Sequence, residues 1–160
     1  MKSETIHATG FVLGPYGVML RGPSGAGKSL LTLELMDIWE ARGLDAMLVS
    51  DDRIELDAAQ GGGLVMRAPK AIEGLIELRG RGIVRRPFAA SAPLHLIVDL
   101  VDQFERMIEE DQLVTTLMGV PVARCPVPRA GIIDSTHRVL LIREALRALN
   151  PAPKGQKKTP

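Results

Sequence analysis

Gly22-Pro23-Ser24-Gly25-Ala26-Gly27-Lys28-Ser29 fills every fixed position of the G-x-x-x-x-G-K-[ST] pattern with which a backbone cradles a polyphosphate. Apolar Val18-Met19-Leu20 leads into it, and a helical pattern beginning near Lys28 follows, so the stretch stands between a strand and a helix. Gly22, Gly25 and Gly27 let the chain turn tightly and come close to an anion, which then faces successive N–H groups and the positive end of the helix. In this reading Lys28 reaches the β- and γ-phosphates and the Ser29 hydroxyl ligates Mg²⁺. The plain alternative, a glycine-rich turn capping an ordinary helix, is outweighed by the complete motif and the two correct flanks.

Upstream, residues 5–13 mix Ile, Phe and Val with small residues, and Gly14-Pro15-Tyr16-Gly17 supplies turn chemistry. A β-hairpin is expected, its second strand feeding the glycine-rich loop and His7 on its first strand. Downstream, Leu30, Leu31, Leu33, Leu35, Met36, Ile38 and Trp39 form a broad helical stripe that ends at Gly43. Residues 46–49 then read as a buried strand running into Ser50-Asp51-Asp52. Two adjacent carboxylates at a strand end in a sheet of this kind open onto the crevice where ligands bind. There they can hold Mg²⁺ through water or take a proton from an attacking hydroxyl. A solvated pair closing the strand as an Asx-turn is an equal alternative from spacing alone.

Residues 53–57 and 64–67 flank Ala-Ala-Gln-Gly-Gly-Gly and read as a second hairpin. Residues 71–76 read as a short helix after Pro69, leading to Glu77-Leu78-Arg79-Gly80-Arg81-Gly82, where Glu77 can hold a metal and the arginines can meet phosphate. Residues 94–100 are the most apolar strand. Its Asp99 invites comparison with the second acidic motif of nucleotide hydrolases, and His95 is most simply a strand-face residue. Residues 103–112 should be an exposed helix or loop. Pro126-Val127-Pro128-Arg129-Ala130-Gly131 reads as a loop. Asp134 or Ser135 can cap a last helix over residues 136–149, with Val139, Leu140, Ile142, Leu146 and Leu149 inward.

With 160 residues the chain has room for one domain, residues 1–150, while the Pro/Lys/Gly-rich residues 151–160 are expected to be disordered. Its 20 Lys and Arg nearly cancel its 19 Asp and Glu, which gives no support for an extended nucleic-acid or membrane surface. Aromatic residues are only 3%, so base-stacking platforms of the single-strand-binding kind are disfavoured too. One cysteine, Cys125, excludes an internal disulfide and suits a reducing cytosol. No apolar leader follows Met1 and no apolar run approaches about 18 residues, the length of a membrane span, so a cytoplasmic protein is expected. The fold class expected is α/β, containing a phosphate-binding P-loop, with a central mixed or parallel sheet and flanking helices and β-hairpins.

His7, the loop, Val49-Ser50-Asp51-Asp52 and Glu77-Leu78-Arg79-Gly80-Arg81-Gly82 together resemble, in order and spacing, the HPr kinase/phosphorylase family. The resemblance covers nearly the whole chain as that family's C-terminal catalytic domain and implies a short form without its separate N-terminal domain. It implies an ATP- and Mg²⁺-dependent protein serine kinase. The acceptor would be an HPr-like phosphocarrier protein of the sugar phosphotransferase system or its nitrogen-related version, and phosphorolysis with inorganic phosphate would reverse the modification. By position it assigns residues 22–29 to the nucleotide phosphates, Ser29 and Glu77 to Mg²⁺, and catalytic roles to His7, Lys28, Asp51, Asp52 and Arg106. It also implies a homohexamer. Leu30 stands where the family usually has Glu, and residues 126–131 carry one arginine where the family loop has two, so kinase action is implied more strongly than phosphorolysis. A small-molecule P-loop kinase and a nucleotide-responsive binding module that transfers nothing are the alternatives.

Overall fold

The short apolar runs around Val18, Leu48 and Val98 become strands buried on both faces, as uninterrupted apolar strands require. The computed structural model describes residues 3–149 and places these strands, β3 (Tyr16–Arg21), β4 (Ala46–Ser50) and β10 (Leu96–Val101), in one six-stranded sheet. With β2 (Ala8–Leu13), β11 (Val114–Leu117) and β12 (Val120–Pro128), its order is β11-β12-β10-β3-β2-β4. β10 runs parallel to both β3 and β12, while β2 is antiparallel to β3 and β4 and β11 is antiparallel to β12. The sheet is therefore mixed. The tail expected to be disordered lies outside the described residues.

Alternation along each strand divides the core in two. Val18, Leu20, Leu48 and Val98 point to one side, where α1 (Lys28–Ala41) contributes Leu31, Leu35 and Met36 and α2 (Ser135–Leu149) contributes Val139, Ile142 and Leu146. Met19, Val49 and Ile97 point to the other side. There they meet a four-stranded antiparallel sheet of order β1-β5-β6-β9, built from β1 (Ser3–Ile6), β5 (Ile54–Ala58), β6 (Leu64–Arg67) and β9 (Ser91–Pro93). A separate hairpin of β7 (Leu75–Leu78) and β8 (Gly82–Arg85) stands beside α1. Each large apolar side chain so buried is worth about 1.5–3 kcal/mol. Gly17 marks the tightest approach of the two sheets, because a Cβ there would sit 1.7 Å from the Pro93 carbonyl oxygen.

The expected hairpins and α1 are present, and α1 closes as its sequence demands, with Gly43 at φ 72° donating its N–H to the Glu40 carbonyl. Four expectations change. Residues 5–13 are two strands rather than one, because the chain bends at His7 to pass from the small sheet into the large one. Residues 71–76 make only a 3₁₀ turn, Lys70–Ile72, before Leu75 and Ile76 enter β7. Gly74, at φ 75°, breaks the helical path and leaves the space that the Phe88 ring fills.

Residues 126–128 are strand, the end of β12, and not loop. Arg129 N–H donates to the Val101 carbonyl, so along this stretch the odd-numbered residues face β10. Pro126 and Pro128 then face the side that β11 has already left, where no N–H is needed. Leu30 and Leu140, expected inward, are exposed, at 58% and 54%. Residues 103–112 take the loop form of the expected helix or loop and end in a 3₁₀ turn, Glu110–Leu113.

Candidate active site

The loop 22–27 joins the end of β3 to the start of α1. Gly25 and Gly27 take φ values of 83° and 93°, a left-handed backbone that glycine adopts without steric cost. Ala26 N–H closes a turn on the Pro23 carbonyl, and the first helical bond runs from Leu31 N–H to the Gly27 carbonyl. The N–H groups of Lys28, Ser29 and Leu30 therefore have no acceptor within the helix. Gly27, as N-cap, supplies no side chain to cover them. Lys28 is buried, and its Nζ folds back to donate to the carbonyls of Gly22 at 2.7 Å and Pro23 at 3.3 Å.

Because β3 and β4 are both antiparallel to the strand between them, they point the same way, and Asp51 and Asp52 emerge at the edge where the loop lies. The two carboxylates are held differently. Asp51 Oδ1 accepts from Ser29 Oγ at 2.7 Å and Thr9 Oγ1 at 3.0 Å, and its Oδ2 accepts from Glu77 N–H at 3.1 Å. That uses most of the acceptor capacity of a carboxylate. Asp52 has an exposed side chain whose Oδ1 lies 3.0 Å from His7 Nε2. Its backbone is left-handed, at φ 64°, which is uncommon for a residue other than glycine. A bond from Ser50 Oγ to the Arg53 carbonyl closes the turn that carries both acids.

One cleft is lined by Ser24, Gly25, Gly27, Lys28, Ser29, Asp51, Asp52, Glu77 and Arg79, with Ala130 on its rim. His7 joins it through Asp52. Gly22 and Pro23 enter through their carbonyls on Lys28. Ala26 is buried beneath the loop, and a Cβ built on Gly22 would meet it at 3.4 Å. Arg106 is elsewhere: it lines a second cavity, formed by residues 101–106, Ile108, β12 and α2. Asp99 does not line the cleft either. Its oxygens are taken by Arg21 Nε at 2.7 Å and Arg124 Nε at 2.6 Å. Burial pushes this carboxyl up, but the two guanidinium bonds outweigh it and hold Asp99 below the ordinary carboxylate value. His95 also has a structural task, its Nδ1 accepting the Gly17 N–H at 2.9 Å while its ring meets Tyr16 edge-on.

Sequence reading missed Thr9. Fully buried on β2, it donates to Asp51 and accepts the Asp52 N–H at 3.2 Å, so one hydroxyl ties the two acids together. No motif flags it. The information lies in the pairing of β2 with β4, which sets Gly10 opposite Ser50.

Among the described residues no group of three or more His, Cys, Asp or Glu side chains converges tightly enough to hold a metal ion alone. The Ser29 hydroxyl and the Asp51 carboxylate are nonetheless in contact, and the Glu77 carboxylate shares their cleft. A few oxygen donors beside a glycine-rich loop and the open start of a helix fit Mg²⁺, which takes few protein ligands and keeps several waters. No helix of the described residues is long and apolar enough to cross a membrane.

The chain resembles known proteins along nearly its whole length. The family model described as HPr Serine kinase C-terminal domain matches residues 1–148. The HPr kinase/phosphorylase of Bordetella pertussis is 33% identical over 157 aligned positions, covering 91% of this chain and 48% of that protein. The HPr kinase/phosphorylase of Brevibacillus brevis is 34% identical over 138 positions, covering 78% of this chain and 42% of that protein. The solved structure of the Hpr(Ser) kinase/phosphatase from Coxiella burnetii superposes with a TM-score of 0.72 at 26% identity, over 91% of this chain and 92% of that one. The chain spans about half the length of the curated relatives it matches. A glycine-rich loop facing twin acids, on a mixed sheet shared with a solved kinase/phosphatase, thus coincides with a family match that leaves out only the last residues, and the chain belongs to the HPr serine kinase C-terminal domain family.

Proposed function

We propose that this chain is an ATP-dependent protein serine kinase domain of the P-loop class, residues 1–150, whose acceptor is an HPr-like phosphocarrier protein. The observation that carries this reading is the single cleft in which the loop, Lys28 and Ser29 face Asp51, Asp52 and Glu77. The names of the relatives supply the acceptor. Loop 22–29 holds the triphosphate through main-chain N–H groups and the helix end, and Lys28 swings from the loop carbonyls to the phosphates. Ser29 and Glu77 are the residues that would hold Mg²⁺, and when bound the ion would supply charge neutralisation on the phosphates.

A serine hydroxyl is protonated at neutral pH, so a carboxylate must accept its proton as the new O–P bond forms and the bond to the ADP oxygen breaks. Asp52 suits that task, since Asp51 is engaged by three donors while the exposed Asp52 carboxylate, among the described residues, meets His7 alone. His7 orients the Asp52 carboxylate. In the reverse direction an oxygen of inorganic phosphate attacks the phosphoserine phosphorus, the bond to the serine oxygen breaks, Asp52 gives that oxygen its proton, and the pyrophosphate so formed is released. The same donors serve both directions because both place phosphate in the same cradle.

The test is transfer from γ-labelled ATP to the carrier protein, followed by addition of phosphate. Label on a carrier serine, then recovered as pyrophosphate, supports the whole reading. Label on a small metabolite, or ATP bound without transfer, overturns the protein-kinase assignment.

A further inference from the structure

The acids and the cavity around Arg106 lie on opposite sides of the loop. In the sheet order the loop follows β3, the acids follow β4 two strands away on one side, and Ala130 follows β12 two strands away on the other. If Asp52 faces the γ-phosphorus, as the function proposed above requires, the polyphosphate runs from the β4 side across the start of α1 toward the β12 side. Ala130 lies there, its Cβ 3.5 Å from where a Cβ on Gly27 would be. Two residues before Ala130, Pro128 lines a cavity of about 520 Å³. The ion pair from Arg129 Nε to Asp102 Oδ1, at 2.8 Å, stands on the same boundary.

We propose that this cavity takes the nucleoside half of the nucleoside triphosphate. Its volume lies within the range of small-molecule sites. Its chemistry is that of a base and a sugar. The exposed Phe104 ring stands edge-on to the His137 ring at 5.5 Å and offers a face for a base. Pro126 and Pro128 give an apolar floor, the side-chain amide of Gln103 can both donate and accept at a base edge, and Arg106 can reach the sugar or the α-phosphate. This gives work to an aromatic residue left exposed in a chain with few aromatics, and to an arginine that the twin-acid cleft does not contain. The inference rests on the phosphate-loop reading and extends it to a part of the molecule which that reading does not use.

Two measurements test it on the full chain. The first compares Mg²⁺-dependent binding of ATP and of inorganic tripolyphosphate in wild type and in Phe104→Ala. Loss of one base–aromatic stack is expected to weaken ATP about tenfold while tripolyphosphate binds as before. The second, which needs no variant, is photolabelling of wild type with 8-azido-ATP, expected to mark residues 101–108, 124–128 or 137–141. Unchanged ATP affinity in a folded Phe104→Ala protein, equal loss of both ligands, or label confined outside those segments overturns the nucleoside site. Tripolyphosphate that binds wild type but not Lys28→Ala shows that the loop stands whatever becomes of the cavity. A wild type that binds neither ligand overturns the loop reading, and the nucleoside site with it.

Discussion

Ser29 Oγ donates a 2.7 Å hydrogen bond to Asp51 Oδ1, so the first turn of α1 and the end of β4 are already joined across the cleft. Asp52, the next residue, makes no such bond and turns to His7. The two acids should therefore fail in different ways. Asp52→Asn keeps the cleft and removes the proposed base, so phosphotransfer should fall by about 10²–10⁴-fold while ATP affinity holds. Asp51→Asn disturbs Ser29, Thr9 and the Glu77 amide together, so it should weaken Mg²⁺-dependent nucleotide binding as well as turnover. Single-turnover kinetics beside equilibrium binding separates the two. Equal behaviour of the variants would refute the division of labour.

Thr9 offers a narrower test. Thr9→Val keeps the shape of the side chain but leaves the Asp52 N–H without its acceptor and Asp51 without one donor. The left-handed turn at Asp52 then loses a restraint. The expectation is a loss of roughly tenfold in kcat with KM for ATP little changed, and recovery in Thr9→Ser, at a cost of about 1–2 kcal/mol in stability for Thr9→Val. Steady-state kinetics on the three proteins decides it, and a Thr9→Ser protein as poor as Thr9→Val would show that the hydroxyl bonds alone do not hold the acids, which overturns the role given to them.

The site was legible where its chemistry is local in sequence. Residues 22–29 carry their own turn chemistry and helix start, and Asp51-Asp52 is marked by a strand that stops. Thr9 was not legible because its role depends on β2 standing between β3 and β4, a long-range pairing that periodicity cannot report. Pro126 and Pro128 misled for a related reason. Proline forbids a central strand only where its missing N–H is needed, and β11 ends before that need arises. Leu30 and Leu140 show the limit of a helical stripe, since each adjoins the buried face of its helix but lies just beyond it.

Arg138 makes an opposite kind of prediction. It is buried in the first turns of α2, and its Nε and one Nη have no hydrogen-bond partner among the described residues. Burial pulls its basicity down, and the Glu34 charge opposes this only in part. A buried donor without an acceptor costs about 1–3 kcal/mol. Arg138→Met should therefore raise stability by about 1–2 kcal/mol, seen as a higher urea midpoint at unchanged slope. A lower midpoint would mean that the guanidinium is anchored after all.

Asp99 contributes to the acid response of the fold. Its carboxyl is held below its ordinary value of 3.8, burial raising it and the bonds from Arg21 and Arg124 lowering it by more. A depressed carboxyl contributes stability that is complete above the unfolded value and is lost as pH falls through the folded one. The contribution of Asp99 should thus be constant from neutral pH down to about 4 and disappear below that. In Asp99→Asn the two arginines lose their counter-charge at every pH, and breaking so enclosed a network costs about 3 kcal/mol. The variant should also lose part of the steep decline below pH 4 that wild type shows, because the group that titrates there is gone. Urea unfolding of both proteins at pH 7 and at pH 3 measures both effects, and an unfolding free-energy gap between them that fails to narrow on acidification would show that Asp99 does not carry the acid response.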